Sequence, residues 1–258
     1  MAQYHLSRVK FNSNNNTQFE AFLSAMNGSV GHFPLANSQI NGISHINKFG
    51  YSGNISSLST IWDGSNIYTY SSSAGEVTVS GSSDDDSAVI EIQGLDANYN
   101  VVVQDVTLDA DGDGTASTNL IRIFRARVKT PAAGETTNAA NLSIRIAGQE
   151  RAKILAGNGQ TLMALYTIPA GKTGYLLNLT TSVDKNVDVI YRLVSIDSTD
   201  GRVANLKGQF GTFGTPVDHR YPVPLKFEEK TDIEIQANAG NTSGGGATFD
   251  LILVDNPT

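Results

Sequence analysis

The chain has 258 residues, of which 40% are hydrophobic and 17% charged, with 25 glycines, no cysteine and a formal net charge of −7. That length permits one large all-β domain or two smaller ones with sizeable cores. The absence of cysteine excludes a disulfide framework, thiol catalysis and cysteine-ligated zinc, and scattered Lys and Arg at a sequence pI near 5.0 lack the basic footprint of a nucleic-acid binder.

The chain opens with MAQYHLSRVKFNSNNN, which has no apolar run behind its basic residues, so a secretory signal is not expected. No later stretch is long and apolar enough for a membrane span. A short helix is predicted over TQFEAFLSAM, where Phe19, Phe22, Leu23 and Met26 recur at helical spacing. An Asn cluster can cap its start, and Asn27-Gly28 can end it. The rest of residues 1–74 shows little strand patterning and reads as an N-terminal arm and wrapping segment.

Within that segment, NKFGYSGNISSLSTIWDGSNIYTY holds the only tryptophan and four other aromatics in a polar, glycine-punctuated context with little charge. Such rings need cover. Phe49, Trp62, Tyr68 and Tyr70 are therefore candidate anchors for a neighbouring subunit, where aromatics bury large areas and glycines let backbones approach. The alternative is that the strip covers the open edge of its own sheet.

From Gly75 the pattern changes to closely spaced strands: EVTVSG, AVIEIQGL, NVVVQDVTL, IFRARVKT and LSIRIAG, separated by turn-rich segments. In IFRARVKT, Phe124, Ala126 and Val128 alternate with Arg125, Arg127 and Lys129, which predicts one buried and one basic, wet face. Residues 75–158 are assigned to a first β-sandwich. A second set, TLMALYTI, TGYLLNLTTSV, VDVIYRLVSI, PVPLKF, TDIEIQAN and TFDLILVD, assigns 159–258 to a second sandwich or jelly roll. Ile233 and Ile235 alternate there with Glu234 and Gln236. The fold class is all-β.

Chemistry-bearing motifs are sparse. Gly171-Lys172-Thr173 ends like a phosphate loop, but Tyr166 stands where the first glycine belongs and a strand follows, so a β-turn is expected. Asp109, Asp111 and Asp113 alternate with Ala and Gly, a spacing that can wrap Ca²⁺, yet Leu120 replaces the glutamate that closes an EF-hand loop. Asp-Gly pairs also make ordinary hairpin turns. The four histidines form no metal-binding pair, and no Gly-X-Ser-X-Gly elbow occurs. No other cofactor is expected.

Taken in order, INKFGYSG, IWDGSNIYTY, VTVSG, IEIQGLDANYN, VVVQDVTLD, FRARV, AGNGQTLMALYTIPAGKTGYLLNLTTSV and FDLILVD resemble a family of virion structural proteins of tailed bacteriophages. The likeness covers about residues 43–256. It implies a non-enzymatic particle component, assembled in the host cytoplasm: a capsid decoration or cement protein that contacts the major capsid protein and forms a homo-oligomer, with a trimer preferred. The alternative is a tail or fibre component that binds a host surface ligand. The DADGDG loop departs from the family pattern, so a cation there would be particular to this chain.

Overall fold

The structure, a computed structural model, describes residues 40–197 and 202–257; the helix expected at 17–26 lies outside them. Among the described residues, every regular element is a β-strand except a single 3-10 turn at Ser83–Asp85. All strand pairs are antiparallel.

Among the described residues the strands form four sheets. The first has the order β1-β16-β11-β14, built from β1 (Ile43–Ile55), β16 (Ser243–Asp255), β11 (Lys172–Val183) and β14 (Val217–Phe227). The second has the order β10-β15-β12-β13, from β10 (Leu165–Thr167), β15 (Asp232–Ala239), β12 (Asp188–Ile196) and β13 (Ala204–Phe213), with β2 (Ser59–Thr60) also pairing with β15. The third runs β6-β3-β8-β9, from β6 (Asp113–Thr115), β3 (Val77–Ser80), β8 (Leu142–Ile146) and β9 (Gln149–Ile154). The fourth runs β5-β4-β7, from β5 (Val101–Thr107), β4 (Val89–Leu95) and β7 (Arg122–Thr130).

The first and second sheets share one apolar cluster, with Leu176, Leu179, Phe249 and Leu251 against Val189, Tyr191, Leu193 and Ile235. The third and fourth share another, with Val79, Ile144 and Ile154 against Ile90, Ile92 and Ile123. Period-2 alternation places these side chains inward, and the arrangement is sandwich-like. The clusters meet at β7. A bulge between the Gln93–Arg125 and Gly94–Ile123 pairs inserts Phe124 as an extra residue. Ile123, Ala126 and Val128 therefore serve the second cluster while Phe124 serves the first, so the buried face expected for β7 is present but divided between two clusters, with Arg127 and Lys129 exposed opposite it.

The segment expected to have little strand patterning contains β1, thirteen residues long and paired along most of β16. Its signal is hidden because Lys48, Gly50 and Ser52 hold buried positions where apolar residues would normally alternate. Gly50 is required there: a Cβ would sit 2.3 Å from the Ala164 nitrogen and 2.5 Å from the Ile61 oxygen. The Gly-Lys-Thr segment is a turn as expected, with Gly171 at φ +71° and Lys172 opening β11.

Candidate functional site

The aromatic strip lies against its own chain. Trp62 is only 3% exposed, and its Nε1 donates to the Asn66 carbonyl at 2.9 Å. Its ring meets Tyr68 edge-on at 5.1 Å, and Tyr68 meets Tyr70 at 4.9 Å. Tyr68, also buried, donates its hydroxyl to the Arg151 carbonyl at 2.9 Å. Tyr70 is half-buried beneath the Arg122 guanidinium, 5.0 Å from its ring centre. Trp62 and Tyr68 are thus core residues and not anchors for a neighbour; Phe49 is half-buried and lines a cavity.

The strip also explains why β15 breaks its expected alternation. Its Ile233 and Ile235 face the first cluster, yet Asp232 and Glu234 are buried as well, at 0% and 2% exposure. Thr60 of β2 donates to Glu234 Oε2 at 3.0 Å, and Gln236 donates to Oε1 at 2.6 Å. Burial pushes the Glu234 carboxyl up to about 7. Beside it, Arg122 grips Asp232 through two bonds of 2.8 and 2.9 Å, and Thr167 and Arg202 donate to the same carboxylate. Asp63 accepts from the Leu162 amide at 2.7 Å, and burial raises it to about 7. This polar layer ties the strip, β7 and β15 together.

The acidic loop joins β5 to β6. Asp109 Oδ1 accepts from the amides of Asp111 and Asp113, each at 3.0 Å, which is an Asx turn where the chain crosses from the fourth sheet to the third. Among the described residues, Asp109, Asp111 and Asp113 do not gather into a ligand group. A second loop adjoins this one, since Gly81 donates to the Gly112 carbonyl at 2.9 Å. There Asp85 is buried and accepts from the amides of Ala139 and Ala140. Asp84, Asp86, Asp109, Asp111 and Asp113 are all exposed, so five carboxylates crowd one tip. The tip lies beside the start of β4, whose other end, Leu95, reaches the first cluster.

At the opposite body, β13 and β14 form adjoining outer edges of the two sheets, linked by residues 214–216. Neither strand was legible in full: Gly208 and Gly211 interrupt β13, and its side chains are mostly exposed, so no buried face imposes alternation. Leu206 and Phe213 are 56% and 59% exposed. In β14, residues 221–224 stand opposite Leu177 alone, so Tyr221-Pro222-Val223-Pro224 bulges outward. Val223, at its tip, is 80% exposed. The open end between the sheets is closed by a ring ladder, Phe210 to His219 at 4.9 Å and His219 to Tyr221 at 4.6 Å. The two strands carry Lys207, Arg220 and Lys226 against Asp218, a basic edge on an acidic chain. The prolines in β14 lack ladder donors, whereas β13 keeps all its amides.

No protein-family model matches the chain, and no curated protein matches it.

Proposed function

We propose that this chain is a non-enzymatic structural component of a tailed-phage virion, a capsid decoration or cement protein that works by subunit contact. The observation that carries this reading is the β13–β14 edge, whose two strands expose Leu206, Phe213 and Val223 along their length and carry Lys207 together with Arg220 and Lys226, the latter two paired with Asp218 and Glu228. Long edge strands bearing exposed apolar residues are ordinarily covered by another element. A second copy has the complementary surface: β5 exposes Val101 and Val103 and leads to the five-carboxylate tip. An apolar and basic edge meeting an apolar and acidic one is a heterologous contact, which closes into a ring when the rotation allows, and a trimer is the preferred ring. The major capsid protein is the further partner, and many copies strengthen a modest contact by avidity.

In this reading residues 75–158 form one β-sandwich and 159–258 a second, completed by strands from the wrapping segment. The burial of Trp62 removes the sugar-stacking platform on which a host-binding tail or fibre component would draw.

Copy number per purified virion, measured by quantitative mass spectrometry against the major capsid protein, tests the placement. On the order of hundreds of copies support shell decoration; about a dozen move the protein to a vertex or tail, and absence from the particle sinks the proposal. Light scattering on Phe213→Asp and Val223→Asp tests the edge itself. Both variants should fall to monomer, and unchanged oligomer mass counts against the β13–β14 contact.

A further inference from the structure

A cavity of about 160 Å³ opens where β1 passes β7 and β10, lined among others by Lys48, Phe49, Phe124, Arg125 and Tyr166. Lys48 is only 7% exposed, and its Nζ donates to the Phe124 carbonyl. Arg125, half-buried beside it, donates to Gln160 Oε1 at 3.0 Å. Neither cation has a carboxylate partner among the described residues. Nearby Arg122, Arg127 and Lys129 are each paired, with Asp232, Glu91 and Asp105.

Two neighbouring cations facing one recess without a counter-ion is an unfavourable arrangement in an otherwise acidic chain. Its signature is the Lys48 amine, which loss of hydration, and then the Arg125 charge, lower to about 7. An anion between the two would restore the ammonium and relieve both charges. The lining is mixed: His45, Asn47, Gln93 and Thr161 add polar wall, while Phe49, Phe124 and Tyr166 offer an aromatic side against which an apolar body can lie, and a space of roughly 150 Å³ is enough for a benzene ring.

We propose that this cavity binds the carboxylate group of a small, apolar-bodied organic acid, held between the Lys48 ammonium and the Arg125 guanidinium with its body against Phe49, Phe124 and Tyr166. This inference does not rest on the particle reading. The carboxylate can come from a free acid or from an acidic side chain of an adjoining copy.

The test is a titration of the isotope-labelled full chain with sodium benzoate at constant ionic strength, followed by chemical-shift changes, with benzamide as the uncharged control. Saturable benzoate binding is expected, at least about tenfold weaker in Lys48→Met and in Arg125→Gln, with benzamide silent. Arg125 is half-exposed, so R125Q keeps the test open should K48M fail to fold. If benzoate also lowers the oligomer mass, the native carboxylate belongs to a neighbouring copy; unchanged mass assigns it to a free acid. Absence of saturation, equal binding of benzamide, or undiminished affinity in the folded variants overturns the proposal.

Discussion

Replacing Glu234 by glutamine should change how stability depends on pH more than it changes the fold. Glu234 is 2% exposed, with one oxygen accepting from Thr60 and the other from Gln236. Its carboxyl is raised from 4.5 to about 7 by burial. The native state therefore holds a proton that the unfolded chain releases above about 4.5. The corresponding stability is fully present below that pH and is lost as pH rises through about 7. At about 1.4 kcal/mol per pH unit, the loss is on the order of 3 kcal/mol. Glutamine is neutral throughout, so E234Q should not show this loss. Urea melts of both proteins between about pH 4 and pH 8 provide the assay. The difference in unfolding free energy, wild type minus variant, should fall by roughly 3 kcal/mol across the range. Asp63 is unchanged in both proteins and cancels. Parallel pH profiles would refute the account of a neutral, buried Glu234.

Trp62→Ala should destabilise the isolated chain by about 3 to 5 kcal/mol in chemical denaturation, whereas a ring reserved for a neighbour would leave that stability intact. Asp232→Asn strands Arg122 without its counter-charge and should cost about 3 to 5 kcal/mol in the same measurement, with wild-type stability contradicting the buried pair. Asp109→Ala removes the Asx turn and should lower stability by about 1 kcal/mol. Calcium should leave the wild-type Tm unchanged, since the Asp109 oxygen is already engaged by two amides; a calcium-dependent rise absent from D109A would establish the loop as a cation site.

How far the residues could be read one by one depended on whether a single chain segment carried the whole signal. Val189, Tyr191 and Leu193 alternate because one face of β12 packs inward, and that period is visible without any partner. The all-β class, most central strands and the turn at Gly171 were legible in this way. Glu234 was not: its expected wet face is buried because Thr60, far away in the chain, lies across it. Trp62 and Tyr68 announced that they needed cover but could not say whose, since an aromatic ring satisfies an internal face and an external partner with the same chemistry. β1 was hidden by Lys48 and Gly50, chosen for a cavity and a close crossing that exist only once β7 and the strip are in place. The exposed edge at β13 and β14 was hidden for the opposite reason, because a strand that buries little imposes no period. Local periodicity therefore determined the class and the central strands, while coverage, which is set by contacts between distant segments, was decided only by the tertiary structure.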